Sequence, residues 1–347
     1  MHLFFIGELF FMQTMQDTIN KLVVKEKGIL AIDESIGTIG KRFTAINLEN
    51  TENNRLRYRN LIATTKDLSN YISGVILFEE TLYQKAANNL EIPKIFNNQD
   101  ILAGIKVDQG LMPIYPNHEV TIAENITKGL DSLADRLAKY KQSDIKFAKW
   151  RSVISIDPNK DWPSKIAIHV NAENLARYAA ICQSQEIVPI VEPEVLMDGE
   201  HDLEQCAKIT EKVLIKVFKA LRKHGVTLEH MLLKPNMVLP GTACKKNYSP
   251  TDIAIATIQV LKRTVPAAVP SINFLSGGQS ETQATTNLNA INKQGIAPWH
   301  LSFSFGRALQ ETCIKVWQGQ DTNVLAAQAA LLNRAKLNSL ANLGHAG

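Results

Sequence analysis

Three lysines carry the first chemical signal. Lys106, Lys149 and Lys234 each close a short apolar run, in GIKVD, FAKWR and LLKPNM. An ammonium buried without a partner loses several kcal/mol of hydration, so each must be compensated, used, or held at an open strand end. Two uses are open: they bind phosphate, or one of them is a nucleophile. Like charges set close together, along with desolvation, depress a lysine pKa and leave a neutral amine at working pH. Such an amine adds to a ketone, and the protonated imine that results is an electron sink. Carboxylates for the accompanying proton transfers stand at other run ends: Asp33 in AIDES, Asp108 in KVDQG, Glu192 and Glu194 in VEPE. In that scheme Glu192 moves protons during dehydration and Asp33 acts as base on a substrate hydroxyl.

The stretch LSGGQS, with Ser276, Gly277 and Gly278, has a mechanism of its own. Two glycines let backbone approach an anion closely, and a helix opening at Ser280 aims free N–H groups at it. Gln283 lies three residues beyond Ser280, which completes a capping box. SFGRAL adds Gly306 and Arg307, the latter a bidentate partner for a phosphate. No His pairs with a Ser or Cys as in a triad, and no His-rich or HxxE-like cluster suggests a metal. His169, His201 and His224 lie away from the run ends and are expected at the surface or as caps. A covalent mechanism without metal or cofactor is therefore expected.

These groups need a scaffold that brings distant run ends together. Eight apolar runs span 28–35, 71–80, 101–110, 145–154, 186–194, 228–237, 269–279 and 299–309, rich in Ile, Val, Leu and Phe. That is the pattern of strands buried on both faces. Helical spacing of apolar residues fills 51–65, 119–142, 172–185, 204–225, 249–265, 280–295 and 322–343, with Gly225 as a C-cap. Alternating strands and helices with a closing helix predict one (β/α)8 barrel, with a doubly wound open sheet as the rival. In a barrel the C-terminal strand ends build the active site, and seven of the eight runs end in charged or glycine-rich groups.

The composition is that of an ordinary globular chain, 45% hydrophobic and 21% charged over 347 residues. A net charge of +4, spread without a basic arm, argues against nucleic-acid binding. Cys182, Cys206, Cys244 and Cys313 are far apart and read as reduced thiols. The start MHLFFIGELFFM lacks a basic region and a cleavage pattern and is too short to span a bilayer. Residues 1–17 are therefore expected to be an N-terminal extension or an over-extended start, with the barrel over 18–347. No other segment reads as transmembrane.

The motifs ILAIDES, GVILFEETLYQKA, GIKVD, FAKWR, EIVPIVEPE, LLKPNMVLPG, FLSGGQS and SFGRALQ occur in this order. The chain closely resembles class I fructose-bisphosphate aldolase from about Thr18 to about Leu340. The resemblance implies a barrel lyase that reversibly cleaves fructose 1,6-bisphosphate to dihydroxyacetone phosphate and glyceraldehyde 3-phosphate. Lys234 matches its Schiff-base lysine, Glu192 its acid–base residue, and Asp33 the residue taking the C4-hydroxyl proton. Lys149 resembles the lysine that supports charge during these steps. Ser276, Gly277, Gly306 and Arg307 fall on the C1-phosphate site. Ser35, Thr38 and Lys106 fall near the other phosphate, with Lys41, Arg42 and Arg151 expected nearby.

The resemblance also implies a cytoplasmic homotetramer acting on sugar bisphosphate and triose phosphates. Departures are Phe305 where family members carry tyrosine, Ile36 in DESIGT, and no tyrosine beyond Tyr248, so that a tyrosine-bearing tail is expected to be missing. The other readings are a different Schiff-base barrel such as a transaldolase, opposed by the two phosphate sites, and a non-catalytic binding protein, opposed by the filled catalytic positions.

Overall fold

Strands that are apolar on both faces have no solvent side to offer, so they must be covered above and below. The computed structural model, which describes residues 14–86, 89–115 and 124–346, shows how this is done. A helix over 14–22 (α1) leads into β1 (Gly28–Ile32), α2 (Ile36–Thr44) and α3 (Glu52–Ala63). Then follow β2 (Ile72–Leu77), α4 (Glu79–Tyr83), α5 (Ile92–Asn97), β3 (Leu102–Lys106), β4 (Leu111–Pro113) and β5 (Asn125–Thr127). The chain continues through α6 (Leu133–Lys141), β6 (Phe147–Ile154), α7 (Lys165–Ser184), β7 (Val188–Val195), α8 (Leu203–Lys223) and β8 (Leu232–Leu233). It closes with α9 (Pro250–Thr264), β9 (Ser271–Phe274), α10 (Glu281–Asn292), β10 (His300–Phe305), α11 (Arg307–Trp317) and α12 (Val324–Asn342).

All eight predicted runs carry a strand. They form one closed parallel barrel in the order β1-β10-β9-β8-β7-β6-β3-β2. Pairing of β1 with both β2 and β10 shuts the sheet and removes the open-sheet alternative. Every residue of β1, β2 and β7 is buried, because helices cover the outside and side chains fill the inside.

The floor of the barrel is plugged. Met15, Ile19 and Leu22 of α1, spaced four and three residues apart, join Ile29, Ile76, Phe147, Val188, Ile190 and Leu232 in an interior cluster. Gly104 makes room for the Phe147 ring, since a Cβ there would stand 2.3–2.4 Å from three ring carbons. With that end sealed, polar groups can meet solvent only at the C-terminal strand ends. The boundary expected at residue 18 falls inside α1, and residues 1–13 lie outside the described residues.

Six of the described helices begin at an oxygen-bearing cap. Ser35, Thr51, Ser164, Asp202, Ser249 and Ser280 each accept a bond from the backbone N–H three residues on, within or at the start of their helices. The Ser280/Gln283 capping box forms as expected. One element differs from expectation. The helix predicted over 119–142 begins only at Leu133, after Ser132 turns left-handed with φ 53°. Upstream, Asn125–Thr127 pairs antiparallel with Leu111–Pro113, and residues 119–123 lie outside the described ones. The β-branched Ile126 and Thr127 suit that hairpin better than a helix. Among the described residues no helix is long and apolar enough to cross a membrane.

Candidate active site

The C-terminal strand ends enclose a cavity of about 800 Å³, within the usual range of roughly 300–1,000 Å³ for small-ligand sites. Its lining includes Asp33, Ser35, Thr38, Lys41, Arg42, Lys106, Lys149, Arg151, Glu192, Lys234, Ser276, Gly277, Gly306 and Arg307. These come from seven strand ends, so closure of the barrel assembles residues up to 274 positions apart in sequence. Gly278 alone among the expected site residues stays out of the lining. A Cβ there would stand 2.6 Å from the Met197 sulfur, so its role is to admit that side chain beneath the loop.

At the floor, two lysines share one carboxylate. Lys234 Nζ lies 3.2 Å from Glu192 Oε1, and Lys149 Nζ lies 3.1 Å from Glu192 Oε2. Lys149 also meets Asp33 Oδ2 at 2.7 Å and stands 3.9 Å from Asp108 Oδ2. Strand register sets this pattern by placing Lys106 beside Lys149 and Arg151 beside Glu192. All four floor side chains are largely withdrawn from solvent, Lys149 and Lys234 being 4% and 5% exposed.

The lysines are therefore not a crowd of like charges. Burial alone would lower the Lys149 pKa, but Asp33, Glu192 and Asp108 hold it well above the ordinary lysine value. The depressed-amine argument thus fails for Lys149, which stays an ammonium. Burial alone would raise the Asp33 pKa, yet Lys149, Lys234 and Lys106 hold the carboxyl far below the usual carboxylate range. Lys106 is committed to Asp108, 2.7 Å from Oδ1 and donating to the carbonyl at 2.7 Å. Arg151 pairs with Glu194 through Nε and Oε2.

Two groups of anion-seeking donors stand above this floor. One surrounds the first turn of α2, where the Ser35 and Thr38 hydroxyls are 3.1 Å apart and Lys41 faces the cavity. The other joins Ser276–Gly277 to Gly306–Arg307, where α11 begins directly at the cavity. Gly277 holds φ +54°, a conformation glycine adopts without strain. Arg307 Nη2 donates to the Gln279 carbonyl at 2.9 Å, which ties its guanidinium to the loop after β9 and leaves its other donors for a ligand. Arg42 reaches toward the second group: its Nη2 lies 4.0 Å from where a side chain on Gly306 would begin.

Several residues escaped the sequence reading. Glu34, Arg136 and Ser304 also line the cavity. Ser304 alternates with buried phenylalanines in SFSF, a period-two signal that could have placed it inward. Arg136 belongs to α6 and reaches back to the Val107 carbonyl at 2.9 Å, which no local pattern announces. His201 is fully buried rather than superficial, and burial lowers its pKa. His224 is the C-cap residue of α8, as expected, with Nε2 2.8 Å from Glu173 Oε2.

A family model described as glycolytic, fructose-bisphosphate aldolase class-I, matches residues 14–346. Fructose-bisphosphate aldolase 1 of Toxoplasma gondii is 52% identical over 333 residues, covering 96% of this chain and 91% of that protein. Fructose-bisphosphate aldolase 4, cytosolic, of Arabidopsis thaliana is 54% identical over 319 residues, covering 92% and 80%. Among solved structures, fructose-bisphosphate aldolase from Plasmodium falciparum, in complex with TRAP and a small-molecule inhibitor, superposes with a TM-score of 0.94. It is 50% identical, with 96% of this chain and 95% of that one covered.

Proposed function

Because the chain belongs to the class I fructose-bisphosphate aldolase family, we propose that Lys234 forms the imine through which it works. The enzyme is a lyase that reversibly cleaves fructose 1,6-bisphosphate to dihydroxyacetone phosphate and glyceraldehyde 3-phosphate. The observation that carries the assignment is the pair at the cavity floor, Lys234 Nζ 3.2 Å from Glu192 Oε1. Glu192 takes a proton from the Lys234 ammonium, and the free amine attacks the C2 carbonyl of the substrate. The proton then goes to the C2 hydroxyl of the carbinolamine, which leaves as water and yields a protonated imine. Lys149, held charged, bridges Asp33 and Glu192 and fixes the two carboxylates in place.

In the next step Asp33 accepts the C4-hydroxyl proton. The C3–C4 bonding pair moves into the C2–nitrogen system as the C4 aldehyde departs. That leaves an enamine on Lys234, which gains a proton at C3 and is hydrolysed to dihydroxyacetone phosphate. We assign the C1 phosphate to Ser276, Gly277, Gly306 and Arg307, and the far phosphate to Ser35, Thr38 and Lys41, with Lys106 and Arg151 beside it. The catalytic unit runs from α1 to α12 as one domain and acts in the cytoplasm as a homotetramer. The cytosolic naming of the Arabidopsis relative supports the first of these settings, and light scattering in solution tests the second.

Borohydride reduction in the presence of dihydroxyacetone phosphate, followed by peptide mapping, tests the chemistry. The triose phosphate mass is expected on the peptide carrying Lys234, and Lys234→Met is expected to abolish label and turnover together. Label on Lys149 would overturn the assignment.

A further inference from the structure

Glu34 is buried beside the proposed base Asp33, yet none of the steps above uses it. Three donors converge on its carboxylate. Arg42 Nη1 reaches Oε1 at 2.6 Å, Gln310 Nε2 reaches the same oxygen at 2.8 Å, and Arg59 Nη2 reaches Oε2 at 2.6 Å. Burial alone would raise the Glu34 pKa, but Arg42 and Arg59 hold it below the ordinary value, so the group is an anion. A buried ion cluster of this kind adds little net stability over apolar packing, so a role in fixing geometry is the better explanation.

The two arginines differ in what they face. Arg59 is 3% exposed at its side chain, lies over the Tyr58 ring at 5.8 Å, and does not line the cavity. Arg42 does line it, keeps 20% of its side chain exposed, and points its second terminal nitrogen at Gly306. Glu34 thus grips one nitrogen of Arg42 and leaves the other at the first turn of α11. Gln310 connects the same carboxylate to that turn, donating to the Ala31 and Gly306 carbonyls at 2.8 and 3.2 Å. Tyr58 hydroxyl in turn donates to Gln310 Oε1 at 3.2 Å.

We propose that Glu34 is a positioning residue that presents Arg42 to the substrate phosphate bound at Gly306–Arg307. The proposal rests on the phosphate assignment made above. Arginine has long rotamer-rich reach, so a free Arg42 would have to be ordered by each substrate that binds. Anchored by Glu34, it is already in place, and binding keeps the energy that ordering would consume.

The test is a cycle of four variants: E34Q, R42A, E34Q/R42A and E34Q/R59M. Gln at 34 keeps shape and one acceptor but drops the charge. E34Q is expected to raise KM for fructose 1,6-bisphosphate about tenfold or more, the loss of one charge-assisted contact, with kcat nearly unchanged. In the R42A background E34Q is expected to add nothing, because the two act through one contact. Borohydride trapping should weaken for dihydroxyacetone phosphate and stay unchanged for dihydroxyacetone, which lacks the phosphate.

Additive losses in the double variant, or equal losses for both trapping ligands, would overturn the proposal. If E34Q alone fails to fold because Arg59 is left unpaired, E34Q/R59M removes that buried cation. A folded E34Q/R59M enzyme with a raised KM supports the role, and one with normal KM refutes it. Absence of a trapped imine in the unaltered enzyme would instead sink the assignment of Lys234 and leave Glu34 aside.

Discussion

Replacing Lys149 with methionine should damage folding and catalysis together, for one electrostatic reason. Lys149 Nζ stands 2.7 Å from Asp33 and 3.1 Å from Glu192, and the three side chains are 4%, 13% and 5% exposed. Methionine fills much of the same volume but leaves two withdrawn carboxylates facing each other. Removing one partner of a buried ion pair costs about 3–5 kcal/mol. That is a large part of a typical total stability of roughly 5–15 kcal/mol, so the urea midpoint should fall clearly. In catalysis, Glu192 would be left with Lys234 as its sole nearby ammonium, and their pairing would tighten. Freeing the amine becomes harder, and a barrier increase of about 3–4 kcal/mol lowers kcat by about 10²–10³. The pH dependence carries the sign. Asp33 is held below its ordinary value of 3.8 in the folded protein, so its contribution to stability is complete above that value. It is lost as pH falls through 3.8 toward the lower folded pKa. The stability gap between the unaltered enzyme and Lys149→Met is therefore widest near neutrality and narrows below about pH 4. Urea titrations at pH 7, 5 and 3, with steady-state cleavage on the same samples, measure both effects. A variant with unchanged midpoint and kcat within fivefold, or a gap that widens in acid, would refute the reasoning.

Arg307→Ala should raise KM for fructose 1,6-bisphosphate about 10–150-fold, the equivalent of a charge-assisted contact of roughly 1.5–3 kcal/mol, as read by steady-state kinetics. An unaltered KM would remove Gly306–Arg307 from the phosphate site. Gly104→Ala should cost about 1–3 kcal/mol in urea unfolding, since its Cβ would enter the Phe147 ring, while Gly104→Ala/Phe147→Leu recovers part of the loss. Equal stabilities for the single variant and the unaltered protein would mean that the barrel interior has slack at this level.

The barrel was legible because its strands are continuous apolar runs and its helices carry apolar residues at three- and four-residue spacing. Both are local signals, readable within a dozen residues. What escaped depends on contacts distant in sequence. Apolar spacing over 119–142 reads as a helix, yet residues 125–127 pair as a strand because Leu111–Pro113 offers them an edge. Helix α2 was missed because Gly37 and Gly40 weaken its local signal. His201 looked polar and superficial, and its burial follows from packing around the loop after β7. The residues proposed for catalysis were legible as polar types at strand ends, but the sign of their coupling was not. Lys106 and Lys149 do stand side by side across β3 and β6; Lys106 is held by its near neighbour Asp108, whereas Lys149 is held by Asp33 and Glu192, which come from other strand ends.

That coupling explains how a cavity with eight cationic and six acidic lining side chains can be both stable and reactive. The excess is not spread evenly. Lys149, Lys234, Asp33 and Glu192 neutralise one another at the floor, and Lys106 and Arg151 are matched to Asp108 and Glu194. Lys41 and Arg307 have no salt bridge among the described residues, and both face the mouth. Under the proposed phosphate assignment, a doubly phosphorylated sugar would meet unspent positive charge where its phosphates arrive, and a balanced, dry floor where its carbonyl arrives. Docking the phosphates excludes water over that floor, which strengthens every charge interaction there. A proton can then pass between Lys234 and Glu192 over a short distance without changing the net charge of the floor. On the roles proposed here, the division between charged mouth and neutral floor would let one set of strand ends both capture an anion and release a free amine.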